Sequence, residues 1–95
     1  MPRVSVCMPA YNAERTIREA ILSVLGQETV PLEVVVCDDG SHDGTLALVE
    51  GMAKGDARIR LLTNGSNCGI SRTRNRLLAE SRGEFVAWLD ADDLA

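Results

Sequence analysis

The feature that most constrains this sequence is an alternation of short apolar runs with amphipathic stretches. Residues 4–8, 34–37 and 85–89 are nearly continuous apolar segments rich in β-branched or aromatic side chains. Runs of that kind suit parallel strands buried on both faces. Residues 59–62 carry a charge in the middle, at Arg60, and fit an edge strand better. Between the runs lie helical patterns. From residue 14 to 26, Ile17, Ile21, Val24 and Leu25 recur at helical spacing, and Gly26 offers a stop. Asp43 offers a cap for a second helix carrying Leu46, Val49 and Ala53, which Gly51 weakens. A third helix is predicted over 71–81, with Leu77 and Leu78 inward, Arg72, Arg74 and Arg76 on other faces, and Gly83 as a stop.

The order β-α-β-α-β-α-β, with right-handed crossovers, predicts an α/β fold: a doubly wound parallel sheet with helices on both faces. With strand order 3-2-1-4 the chain reverses direction between its first and fourth strands. Ligands in such sheets bind beyond the carboxyl ends of the strands, at that switch point. The segments brought there are Pro9-Ala10-Tyr11-Asn12, Asp38-Asp39-Gly40-Ser41 and Asp90-Ala91-Asp92-Asp93. Polar chemistry is therefore concentrated on one rim.

Length and composition narrow the partners. Ninety-five residues suffice for one small domain, and 45% hydrophobic with 25% charged residues is ordinary globular usage. The formal net charge is −4, and no basic stripe interleaved with aromatics exists, which argues against nucleic acid. No apolar run approaches the roughly 18 residues of a membrane span, and residues 1–5 lack the apolar stretch of a signal peptide. Cys7, Cys37 and Cys68 are odd in number and form no CxxC pair, so they read as reduced thiols of a cytoplasmic protein.

The loop after the first run contains no glycine, so the dinucleotide fingerprint is missing, as is the Walker A pattern. A nucleotide held here needs another grip. A divalent cation, Mg²⁺ or Mn²⁺, on carboxylates supplies one, because it neutralises a diphosphate directly. Asp90 and Asp92, two residues apart just past a strand, point the same way and suit that task. Two such acids also arise by chance as solvated loop residues. In residues 38–45 a carboxylate can accept hydrogen bonds from a base edge, such as the imide N–H of uracil. Turn and capping chemistry accounts for Asp43, Gly40 and Gly44 there, but less well for two adjacent aspartates of like charge.

Four blocks together make the sequence recognisable: residues 4–12, residues 36–45 with Asp38-Asp39-Gly40-Ser41, residues 67–75 beginning Asn67-Cys68-Gly69, and residues 83–93 with Asp90-Ala91-Asp92. In order and interval they resemble family 2 glycosyltransferases and cover essentially the whole chain. The resemblance implies the Rossmann-like GT-A fold, with residues 1–95 a single nucleotide-diphospho-sugar-binding domain. It implies transfer of a sugar from a nucleoside diphosphate sugar, UDP favoured, to an acceptor hydroxyl on a saccharide or lipid-linked saccharide. Carried over by position, Pro9, Ala10 and Tyr11 line the nucleoside pocket and Asp39 bonds the base. Arg74 lies near the base or diphosphate, Asp90 faces the ribose, and Asp92 ligates the metal. Bland roles compete for Tyr11 (loop packing) and Arg74 (a solvated helix face), and His42 decorates the turn.

In inverting members of that family an acidic base lies far downstream of D-x-D, whereas this sequence stops two residues after Asp93. No catalytic residue is therefore assigned within the chain. The expectation is the donor-binding part of a longer enzyme, placed in the cytoplasm or at the inner membrane surface, which transfers sugar poorly alone. The last strand should present an unpaired apolar edge that invites dimerisation. Rival readings are an inactive nucleotide-binding module and a D-x-D phosphatase with Asp90 as nucleophile. A receiver-like module fails, because its acidic positions hold Pro9-Ala10 and Asn64-Gly65.

Overall fold

The computed structural model describes residues 2–27 and 30–91; Asp92 and Asp93 lie outside them. Seven elements follow in order: β1 (Val4–Ala10), α1 (Ile17–Leu25), β2 (Leu32–Asp38), α2 (Thr45–Gly55), β3 (Ile59–Thr63), α3 (Ile70–Glu80) and β4 (Phe85–Trp88). The four strands form one sheet of order β3-β2-β1-β4, all neighbours parallel. This is the α/β arrangement and strand order that the sequence predicts.

The period of two along each strand decides which helix meets which side chain. Val6, Met8 and Ala10 of β1, with Val34 and Val36 of β2, face α1 and α2 and build the main core around Ile17, Ile21, Val24 and Val49. The intervening Cys7, Val35 and Cys37 face the other way and pack on Leu77 of α3. Cys7 and Cys37 are buried, Cys68 is exposed, and all three are free.

Several boundaries differ from expectation for local reasons. Helix α1 starts at Ile17 because residues 13 and 14 are engaged elsewhere: the Ala13 amide donates to Thr45 Oγ1 and the Glu14 carboxylate accepts from the Gly44 amide. Asp43 is not the cap itself: Gly44 stands at the N-cap of α2 with no side-chain cap bond, and Asp43, one residue earlier, accepts from the Thr45 amide at 3.0 Å through Oδ1. Leu78, expected inward, is 54% exposed; α3 turns Leu77 and Thr73 to the sheet instead. Helix α3 ends at Glu80, three residues before Gly83, which packs against the backbone of β1. Strand β1 extends through Pro9 and Ala10. Pro9 has no N–H to donate, but it lies past Cys7–Trp88, the last β1–β4 pair, so no ladder bond is broken. The sheet therefore parts between β1 and β4 on the carboxyl rim.

Candidate functional site

Where the sheet parts, a cleft of about 490 Å³ opens, lined by residues 9–13 after β1, Asp39 after β2, Asn67, Gly69, Ile70 and Thr73 around the start of α3, and Asp90 and Ala91 after β4. Its walls are fixed by hydrogen bonds between loops rather than by apolar packing. Asn12 adopts φ +49°, an uncommon left-handed conformation that asparagine tolerates. Its amide donates to Ser41 Oγ at 2.9 Å, and its side-chain oxygen accepts from the His42 amide at 2.8 Å. These bonds join the β1–α1 and β2–α2 loops and present the half-exposed Tyr11 at the cleft.

Asp38 and Asp39 part company. Asp38 ends β2 on the α1/α2 side, with Oδ2 accepting from the Ser41 amide at 3.2 Å. Its Oδ1 is buried and has no hydrogen-bond partner among the described residues. Asp39, only 6% exposed, faces α3. Alternation along the strand thus puts the two like charges on opposite faces of the sheet, removing the repulsion that their adjacency suggests.

Asp39 is held from three sides. Oδ1 accepts from the Cys68 amide at 2.7 Å and from Asn64 Nδ2 at 2.8 Å, and Oδ2 accepts from the Gly69 amide at 3.1 Å. Burial pushes its carboxyl up, but the Cys68 amide, Asn64, the Gly69 amide and Thr73 outweigh that and hold it below the usual aspartate range. The group is an ionised acceptor. Two oxygens offer about four acceptor directions; the Cys68 amide, Asn64 and the Gly69 amide take three, and Thr73 spends its hydroxyl hydrogen on the Gly69 carbonyl at 2.9 Å, so among the described residues one direction on Oδ2 is unfilled. Gly40, at φ +74°, lets the 64–69 loop come close, since a Cβ there would stand 2.6 Å from the Asn67 amide nitrogen.

Of the positions singled out in the sequence, Pro9, Ala10, Tyr11, Asp39 and Asp90 all line this one cleft. Arg74 is not among its lining; its guanidinium lies 5.8 Å from the centre of the exposed Trp88 ring. Asp92 lies outside the described residues, so its placement is not described. Among the described residues no group of three or more His, Cys, Asp or Glu side chains gathers. What the rim offers a metal is the exposed carboxylate of Asp90, a hard oxygen donor of the kind Mg²⁺ and Mn²⁺ prefer, and both ions need only one or two such ligands beside phosphate and water. The donor chemistry fits. Sequence reasoning assigned no role to Asn64, Asn67, Gly69 or Thr73. Asn67 and Gly69 stand in the third recognisable block, whereas Asn64 carries no local signal at all.

A profile described as glycosyl transferase family 2 matches residues 5–95. The chain belongs to glycosyl transferase family 2. It is 46% identical over 91 residues to UDP-Glc:alpha-D-GlcNAc-diphosphoundecaprenol beta-1,3-glucosyltransferase WfgD of Escherichia coli, which spans 96% of this chain and 35% of that protein. Among solved structures, S. aureus TarS in complex with UDP-GlcNAc superposes with a TM-score of 0.86 at 36% identity, over 97% of this chain and 27% of that one. The mannosyltransferase PcManGT from Pyrobaculum calidifontis, in complex with GDP-Man and Mn²⁺, gives 0.88 at 35% identity, over 98% and 28%. As a family 2 glycosyltransferase sequence, the chain spans roughly a third or less of the length of each of these relatives. The sheet and its helices are those of the GT-A glycosyltransferases among these neighbours.

Proposed function

We propose that residues 1–95 form the donor-binding domain of a glycosyltransferase that takes a nucleoside diphosphate sugar, with UDP-sugar favoured. The observation that carries this reading is the convergence of Asp39, Asp90 and the Pro9–Tyr11 segment on one cleft. The open acceptor direction on Asp39 Oδ2 suits the single imide N–H of uracil; a guanine edge offers more donors than that direction accepts. Tyr11 supplies a flat apolar wall for the base, and Asp90 at the cleft mouth suits a ribose hydroxyl. The relatives carry both nucleotides in their names, UDP-sugars for WfgD and TarS and GDP-Man for PcManGT, so base choice is the point to test.

Transfer builds negative charge on the departing nucleoside diphosphate. A divalent cation, Mn²⁺ or Mg²⁺, when bound, stabilises that charge as a Lewis acid. Asp92 would hold it. The chain's own residues bind and orient the donor, and the base for an inverting attack by the acceptor hydroxyl comes from outside residues 1–95. The acceptor class is a saccharide or lipid-linked saccharide, and the setting is the cytoplasm or the inner membrane surface. Among the described residues no helix is long and apolar enough to cross a membrane. Among the described residues β4 is an edge of the sheet, and its exposed Phe85 and Trp88 suit pairing with a second copy of the chain.

Calorimetric titration with UDP, GDP and TDP, with and without Mn²⁺, tests the reading. We expect UDP to bind best, Asp92→Ala to remove the manganese dependence and Asp39→Ala to erase the base preference. Equal binding by both variants and the parent would overturn the site. A second reading is a nucleotide-binding module without activity. It differs only in predicting no sugar transfer under any condition.

A further inference from the structure

Asn64 follows β3 and stands between two groups that cannot bond each other's partners. Its Nδ2 donates to Asp39 Oδ1 at 2.8 Å and to Thr73 Oγ1 at 3.0 Å; its Oδ1 accepts from Arg76 at 3.0 Å and from the Cys37 thiol at 3.6 Å. The Asn64 amide nitrogen donates to the Asp38 carbonyl at 3.0 Å, which fixes the backbone beneath this side chain. Arg76 is itself anchored by a bond to the Thr63 carbonyl.

A guanidinium only donates and a carboxylate only accepts, so the Asn64 amide has one orientation that satisfies both. No leucine, aspartate or alanine can bridge that pair. With Asn64 in place, both acceptor directions of Asp39 Oδ1 are filled, by Asn64 and by the Cys68 amide, and Gly69 takes one on Oδ2. The carboxylate cannot turn, and its last open direction stays on Oδ2.

We infer that Asn64, oriented by Arg76, is a positioning residue for base recognition: it locks the Asp39 carboxylate so that one oxygen direction is kept for the nucleotide. This rests on the donor-binding reading above, in which Asp39 meets the base. Arg74, the arginine that the family likeness points to, stacks on Trp88 instead, and Arg76, half a turn further along α3, does the orienting. The charged and titratable groups around Asp39 are Arg76 on α3, Cys68 before it, Cys37 and Asp38 on β2, and Asp90 and Tyr11 among the residues lining the cleft.

The test uses Asn64→Ala and Arg76→Ala in the 95-residue chain, with two readouts. The first is the ratio of UDP to GDP affinity at neutral pH by calorimetry. The second is the carboxyl titration of Asp39 followed by NMR without nucleotide. In Asn64→Ala, UDP affinity should fall about tenfold while GDP affinity changes little, and the Asp39 titration should move to higher pH because a donor to its ionised form is gone. Arg76→Ala should shift both readouts in the same direction by less, and Arg76→Lys should restore most of the ratio. A role in stability alone would lower the melting temperature and leave ratio and titration where they were. Such a result, in either folded alanine variant, overturns the inference. The donor-binding reading fails separately if Asp39→Ala binds UDP as the parent does, since the nucleotide-free titration of Asp39 does not depend on it.

Discussion

Strand β2 and the residue that follows it, Asp39, send a buried carboxylate to each end of α3, and the two ends are built alike yet differ in what they face. At the start of α3, Asp39 accepts from the Cys68 and Gly69 amides. At the far end, Glu33 accepts from the Arg82 amide at 2.8 Å, from Ser5 Oγ at 2.5 Å and from Arg60 at 3.1 Å. Each end also has a glycine pressed on a neighbouring backbone: Gly40 against Ser66 and Asn67, Gly83 against Val4 and Ser5. The difference lies in what the carboxylate leaves open. The Glu33 end closes on protein donors, whereas the Asp39 end borders the cleft and keeps an acceptor direction free. One device, used at both ends of β2, is a closed clasp at the amino ends of the strands and a clasp bordering the cleft at their carboxyl ends.

Three experiments can break or sharpen this contrast. The largest effect belongs to Glu33→Ala, which removes the acceptor shared by Arg60, the Ser5 hydroxyl and the Arg82 amide and leaves the Arg60 charge with only the Glu80 carbonyl. We expect a loss of about 3 kcal/mol in denaturant unfolding, with nucleotide affinity of the folded chain unchanged. A matching drop in nucleotide affinity would mean that the two ends are not separate. Next come the glycines. Gly83→Ala and Gly40→Ala should each cost about 1–3 kcal/mol, because a Cβ would sit 2.6 Å from a backbone nitrogen at either site. Only Gly40→Ala, which displaces the 64–69 loop, should also weaken UDP binding in calorimetry. The smallest effect is in acid. Burial pushes the Glu33 carboxyl up, but the Ser5 hydroxyl, the Arg82 amide and Arg60 reverse that and hold it below its ordinary range. A depressed folded pKa means stability present above the unfolded value, about pH 4, and lost as pH falls through the folded one. Glu33→Gln should flatten that part of the stability–pH curve by thermal melts; an unchanged acid slope would place the sensitivity elsewhere, with Asp39 the first candidate.

Much of the fold was legible because the strands carry it openly. Continuous apolar runs at 4–8 and 34–37 can only be buried on both faces, and the spacing of Ile17, Ile21 and Val24 leaves little choice for α1. The weaker run with Arg60 was legible as an edge because a central strand has no room for an unpaired charge; it pairs with Glu33. Leu78 was not legible. Two adjacent leucines on a helix differ by about 100° of rotation, and which one faces the sheet depends on where the helix lies, a tertiary fact. The site was legible where its residues follow strands, since topology alone carries Pro9–Tyr11, Asp39 and Asp90 to one rim. Asn64 was not, because its importance lies in two partners 25 and 12 residues away, Asp39 and Arg76.

A ring nitrogen without hydrogen, at Pro9, stands where β1 runs on beyond its last pair with β4 and has no rung to offer there. In most parallel sheets two adjacent strands would keep zipping toward their ends, each new rung drawing the next together. Here the pairing of β1 with β4 stops at Cys7 and Trp88, and the gap beyond it is the mouth of the cleft. Any substitution restoring that missing hydrogen would offer the neighbouring strand another rung, and the doorway would narrow without a single side chain inside it having changed.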